Sequence, residues 1–190
     1  PGDHGADVGA IEGHLSKLRA PPPPPAAVEP PAVPGAEALA SSAGGDVDVA
    51  GEPTPALLGR LRKLQEDRVE TYRRFDAALD ACRGGSGAVD VAAYGAVVAK
   101  ITVVFDLVSR RFNACEAALR ARGLAAAADC CRRVQTLEKE KLELTAATHL
   151  AAVRPDSDAG RAHVAARARD VAAAITEAFD DLKCELDGEE

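Results

Sequence analysis

Methionine and tryptophan are absent from all 190 residues, and aromatic side chains make up only 3% of the chain. Proteins that grip single-stranded nucleic acid by base stacking need aromatic platforms, so a chain with two tyrosines and four phenylalanines argues against that mode. The missing methionine, at position 1 as elsewhere, is expected of a processed or truncated chain or a partial gene product. There is no C-x-x-C pair among Cys82, Cys115, Cys130, Cys131 and Cys184, and no secretory signal precedes them. An odd number of thiols without such a signal fits a reducing compartment, where they serve as small buried hydrophobes; a redox role for the vicinal Cys130-Cys131 is the lesser reading. His149 and His163 fall on different expected helices without ligand spacing to any cysteine, which argues against a zinc site. The one glycine cluster, Gly84-Gly85-Ser86-Gly87, meets no lysine until Lys100 and so reads as a connection, since a phosphate loop needs its lysine at fixed spacing. No uninterrupted apolar run approaches the roughly 20 residues of a membrane span, and no membrane partner is expected.

Carboxylates that could serve a nuclease metal are sparse as well. The nearest grouping, Glu138, Glu140 and Glu143, is interleaved with Lys139 and Lys141 and is expected on an ordinary helix surface. The chain is therefore read as a non-enzyme, with no catalytic, cofactor-binding or metal-ligating residue assigned and no cofactor implied.

What is present is small and apolar. Hydrophobic residues make up 47% of the chain, much of it alanine, and helices are the simplest way to pack such small side chains closely. The charge is uneven: residues 1–55 carry 2 basic and 8 acidic side chains, leaving 21 and 22 for residues 56–190. Within that body, residues 56–176 hold 20 basic against 15 acidic side chains, and the last 14 residues are strongly acidic.

Residues 1–54 are expected to be a disordered arm. Residues 1–55 hold 11 of the 12 prolines and no useful apolar periodicity. Pro21 to Pro25 favour polyproline II, and Arg19-x-x-Pro22-x-x-Pro25 fits an SH3-type ligand formally, although a plain tether meets the same pattern by chance. Ile11, Leu15 and Leu18 could make a short amphipathic turn among glycine-rich neighbours. Thr54-Pro55 then marks a helix start, with Thr54 as the expected cap.

Four helices follow. The first, over about 55–82, has the apolar stripe Leu57, Leu58, Leu61, Leu64, Val69, Tyr72, Phe75 and Leu79. The second runs from an Asp90 cap to about Arg122, with Gly123 as its stop. Val97 to Val108 is β-branched enough to suggest a strand, but Tyr94, Val97, Val98, Ile101, Val104, Phe105, Val108, Phe112, Cys115 and Leu119 keep helical spacing over seven turns. The alanines after Gly123 would also permit one continuous helix. The third helix, about 124–153, contains the leucine-rich stretch Val134 to Val153; its expected stripe is Ala127, Cys130, Val134, Leu137, Leu144 and Ala151, interrupted by Lys141, which should snorkel or meet an acidic partner. Arg154-Pro155-Asp156-Ser157-Asp158 ends it. The fourth, about 159–186, presents Val164, Ala168, Val171, Ile175, Ala178 or Phe179, Leu182 and Leu186. Short loops make neighbours antiparallel, each about 40–50 Å long. The fold class is thus all-α: four long antiparallel helices, as an up-down bundle or extended hairpins, over residues 55–187, with 188–190 an acidic tail.

Three segments taken together resemble a known family. Leu64-Gln-Glu-Asp-Arg-Val-Glu-Thr-Tyr-Arg-Arg-Phe75, Glu140-Lys-Leu-Glu-Leu-Thr145 with the following Ala146-Ala-Thr-His-Leu-Ala151, and Ile175-Thr-Glu-Ala-Phe-Asp-Asp-Leu-Lys183 are similar in order and spacing to the DNA-repair family named "required for excision", B-type domain. The resemblance covers roughly residues 57–186, and Glu-Lys-Leu-Glu-Leu-Thr is its most specific element. It implies a non-enzymatic helical accessory factor of excision repair that works through protein partners of the repair machinery, in the nucleus, with the cytoplasm as the alternative. It assigns no site residue. A structural coiled-coil or helical-bundle component of a cytoskeletal or ciliary assembly is the competing reading, since long heptad-like helices serve that role too. A direct DNA binder is the third, resting on the pairs Arg73-Arg74, Arg110-Arg111 and Arg132-Arg133; the acidic end and divergent placement limit it to weak, non-specific binding.

Overall fold

A computed structural model describes residue 49 and residues 51–83, 88–153 and 161–187 of the chain. The proline-rich arm up to residue 48, the Gly84–Gly87 connection, the Arg154–Asp158 segment and the acidic tail lie outside the described residues. Four helices follow one another: α1 Thr54–Ala81, α2 Val91–Ala121, α3 Ala125–Val153 and α4 Arg161–Asp187. No strand occurs among the described residues, and the β-branched run on α2 is helical throughout.

The turns follow from local chemistry. Asp90 caps α2 by accepting the amides of Ala92 and Ala93 on Oδ1, each at 3.0 Å, which satisfies two of the donors a helix start leaves open. Gly123 takes φ 82°, a region that favours glycine. That conformation brings the Gly123 amide to the Arg120 carbonyl and the Leu124 amide to the Leu119 carbonyl, both at 3.1 Å, so α2 stops and α3 starts separately. The first hairpin is tied where its helices meet, by the Asp90 amide on the Cys82 carbonyl at 2.8 Å and a single antiparallel bridge from Arg83 to Val89.

The start of α1 differs from the sequence expectation. Thr54 is itself the first helical residue, Pro53 stands at the cap in an extended conformation, and no side chain caps the helix. The entry is held from further upstream instead. Val49 is buried and belongs to the core cluster that holds Leu57 and Leu61, its carbonyl accepts from Arg122 Nη2 at 3.4 Å, and Glu52 pairs with Arg60. Residues ahead of the expected boundary at 55 therefore take part in the core.

Each helix packs against the next, and α4 lies mainly along α3, meeting α1 at few positions. The core divides in two along the helix axes. One half gathers Leu57, Leu61, Phe112, Val134, Leu182 and their neighbours from all four helices. The other gathers Phe75, Leu79, Tyr94, Val97, Ile101 and Phe105, with Leu142, Ala152 and Val153 at its edge; among the described residues none of α4 belongs to it. All ten residues of the expected α2 stripe are buried, as are Val171, Ile175, Ala178, Leu182 and Leu186 of α4. α2 is also long and apolar enough, by length and composition, to cross a membrane, with a mean hydropathy of 1.9 over its most apolar segment; here the buried residues of its inner face belong to the core.

The α1 and α3 stripes are corrected. Val69 is 36% exposed, and the position one residue earlier, Arg68, is 1% exposed instead. On α3 the buried positions are Ala127, Ala128, Cys131, Val134, Glu138 and His149, while Cys130, Leu137, Leu144 and Ala151 are half-buried. Both helices touch neighbours on two sides, so a single apolar stripe underestimates what they bury.

Candidate functional site

Between the two halves of the core lies a polar layer. Leu64 and Tyr72 belong to opposite halves and are separated by Arg68; Val134 and Leu142 are separated likewise by Glu138. Helical spacing of four residues stacks these positions on one face, so the apolar pattern is interrupted at the same level on α1 and α3.

Arg68 donates from Nη2 to Gln135 Oε1 and, at 3.4 Å, to Ser109 Oγ. Its guanidinium carbon sits 4.7 Å from the centre of the Phe112 ring, a favourable position for a cation over a π face. Gln135 in turn donates to the Ser109 carbonyl at 3.1 Å and to Asn113 Oδ1 at 2.8 Å. Alongside, Gln65 Nε2 donates to Glu138 Oε1 at 2.6 Å, and Tyr72 donates to the Glu138 carbonyl at 3.2 Å. Lys141 Nζ lies 4.0 Å from the centre of the Tyr72 ring. The lysine that interrupts the α3 stripe is thus placed over a ring rather than on a carboxylate. Burial pulls the Arg68 guanidinium below its ordinary value while the Glu138 charge opposes that shift, and burial chiefly, then Glu138, pushes the Tyr72 hydroxyl up.

A second polar group closes the far half of the core. His149, buried, contacts Tyr94 Oη through Nδ1 and Asp76 Oδ1 through Nε2, both at 2.8 Å, and its ring meets the edge of Phe75 with centroids 4.3 Å apart. Three helices are joined by one imidazole. Near the opposite end, the buried Glu116 receives both Arg120 and Arg132.

Chemically, these groups connect helices to one another. Arg68, Gln135, Glu138 and His149 each bond to protein partners on other helices, while Arg68 Nη1 and Glu138 Oε2 are buried without a hydrogen-bond partner among the described residues. Glu138 is buried rather than on the surface, Glu140 pairs with Arg167 on α4, and Glu143 is exposed, so the three carboxylates of α3 do not converge. The arginine pairs meet carboxylates: Arg73 and Arg74 meet Glu70, Arg110 meets Asp106, Arg132 meets Glu116, and Arg133 bridges Glu177 and Asp181. Of the thiols, Cys82, Cys115 and Cys131 are buried as expected, Cys130 is half-buried, and Cys184 is exposed, contrary to the expectation. Burial pushes Cys115 up to about 11 and Cys131 up to about 12.

Facing outward, an open groove of about 430 Å³ runs between α1 and α4. Val69 and Phe179 supply its apolar surface, and Arg62, Gln65, Glu66 and Arg73 line the rest. It forms where α4 follows α3 and leaves the Arg62–Arg73 face of α1 open. The periodicity placed Val69 inward and gave no sign of Arg68, Glu138 or Gln135; the one available signal was the polar break at the same level on both helices.

The family model described as DNA repair REX1-B matches residues 56–152, just over half of the chain. The matched span contains nearly all of α1 and α3, the whole of α2 and both polar groups, and it ends before α4, including Ile175 to Lys183, where the sequence resemblance extended. Neither the curated proteins nor the solved structures contain a match to the chain. The match carries a role in DNA repair, and the chain belongs to the DNA repair REX1-B family.

Proposed function

We propose that the protein is a non-enzymatic accessory factor of excision repair, acting in the nucleus through contacts between its helical domain and proteins of the repair machinery. The observation that carries this reading is the direction of its polar side chains. Arg68, Glu138 and His149, which are buried, and the half-buried Gln135, the residues whose chemistry could serve a reaction, are used as ties between helices. The outward face instead offers an open groove with Val69 and Phe179 between arginines, the mixture of apolar anchor and guanidinium that protein interfaces favour. DNA contributes weak, salt-sensitive binding at most, because Arg73, Arg74, Arg110, Arg132 and Arg133 already face carboxylates of the chain.

Proximity labelling from the full chain, in undamaged cells and after damage, tests the reading. Repair proteins should be enriched after damage and lost when Val69→Glu places a charge in the groove. Labelling of cytoskeletal or ciliary components alone, unchanged by damage, would favour the structural alternative. Incubation with damaged duplex DNA, magnesium and ATP should give neither cleavage nor hydrolysis above a heat-killed control, and turnover that tracks the purified protein would refute the non-enzyme assignment.

A further inference from the structure

The outer face of α2 is unusual for a helix with two packed neighbours. Val103 is 60% exposed, more than Val69 at 36% or Val91 at 45%. Around it, at the three-, four- and seven-residue spacings that share a helix face, stand Ala96, Ala99, Lys100, Asp106, Leu107 and Arg110. Ala99, Lys100, Asp106 and Arg110 are exposed, and Ala96 and Leu107 are half-buried. Lys100 has no ion-pair partner among the described residues, whereas Asp106 uses Oδ2 to hold Arg110 at 2.9 Å and keeps its other oxygen for a further donor.

This arrangement is self-complementary. If two copies of α2 lie antiparallel with a two-fold axis through Val103, each residue faces the one equally far on the other side of 103. Val103 then meets Val103 of the second copy, Ala99 meets Leu107, and Lys100 meets Asp106, twice by symmetry. An isologous contact requires this match of a patch to itself. The small side chains at 96 and 99 let the helices approach within ordinary packing distance.

We infer that this face of α2 binds a second copy of the chain, with Val103 on the dyad and Lys100–Asp106 ion pairs on either side. A bilayer would have to take Lys100, Asp106 and Arg110 into its apolar interior, which costs heavily; a second copy pairs two of the three. A single helix-on-helix contact is smaller than the roughly 1,200 Å² of a standard interface, so the dimer is a reversible one with micromolar affinity.

Sedimentation equilibrium of the full chain between about 1 and 300 µM, a range set by that affinity, tests the inference. The wild type should pass from monomer to dimer. Val103→Glu, which puts two carboxylates on the axis, and Lys100→Glu, which faces Asp106 with a like charge, should each weaken association at least about tenfold with unchanged helix content. Lys100→Glu combined with Asp106→Lys restores the pairing in reverse and should recover the dimer. As a second readout, Val103→Cys in a Cys184→Ser background should oxidise to a covalent dimer, while Val91→Cys, about 18 Å along α2 from the axis and opposite only the core-buried Cys115 of the second copy, should not. A wild type that stays monomeric throughout, or a dimer indifferent to Val103→Glu, would overturn the inference. So would vesicle binding by a monomer that Val103→Glu abolishes, which would assign the face to a membrane instead.

Discussion

Removing the Arg68 charge should destabilise the domain severely, and removing the Glu138 charge as well should then add less than it costs on its own. Arg68 is 1% exposed and Glu138 is 5% exposed, and each lies in the layer that separates the two halves of the core. Arg68→Met keeps most of the side-chain volume but strips Gln135 Oε1 of its donor, removes the cation over Phe112 and leaves the Glu138 carboxylate buried with its counter-charge gone. Loss of one member of a buried charged pair costs about 3–5 kcal/mol. Arg68 and Glu138 belong to one layer without direct contact, so the lower end of that range applies. At about 3 kcal/mol the melting temperature should fall by roughly 10–15 °C for a domain of this size. Glu138→Gln alone retains an acceptor for Gln65 and should cost about 1–2 kcal/mol. The double variant removes both charges together and should be more stable than the sum of the single losses by at least about 1 kcal/mol, the coupling expected of neighbours in one network. Urea unfolding followed by circular dichroism gives all four corners of the cycle. Strict additivity, or an Arg68→Met variant as stable as the parent, would refute the claim that this layer works as a charge-balanced unit.

Asp90→Ala should cost about 1 kcal/mol because it removes the acceptor for two amides, whereas Thr54→Ala should cost almost nothing since its hydroxyl caps no helix; equal thermal shifts would contradict the cap assignment. Tyr94→Phe leaves His149 Nδ1 buried without its partner and should lower stability by about 1–2 kcal/mol, measurable by the urea midpoint. Stability should also fall as pH rises from 9 towards 11. Cys115 and Cys131 keep their protons in the fold up to about 11 and 12, whereas the unfolded thiols release theirs near 9. Their contribution is therefore complete below pH 9 and lost progressively above it, by up to about 1.4 kcal/mol per pH unit for each; an unchanged urea midpoint at pH 8 and pH 10.5 would count against this. At neutral pH, Cys184 should react first with iodoacetamide and Cys115 and Cys131 only on unfolding, as peptide mass mapping would detect.

Local chemistry in the sequence determined the four helices and most of their ends. Asp90 and Gly123 mark the limits of α2 because their capping and left-handed conformations are matters of a few adjacent atoms, and the ten-residue stripe from Tyr94 to Leu119 is buried because helical period alone puts it on one face. The α4 face from Val171 to Leu186 was legible for the same reason. Tertiary structure decided the rest. Arg68 and Glu138 are polar in any window of sequence, and they are buried because α1 and α3 are each flanked on two sides and because Gln135, Gln65 and Phe112, tens of residues away, meet their polar groups. Val69 and Leu144 lie at the edges of helices whose contact faces are rotated relative to their apolar stripes. Val49 enters the core although its own neighbourhood carries no periodicity, since a single buried side chain needs only a matching gap among core residues supplied by the helices. The open groove, likewise, comes from α4 following α3 in preference to α1. Spacing within a helix specifies which residues share a face; which faces are covered depends on neighbours that the chain supplies from elsewhere.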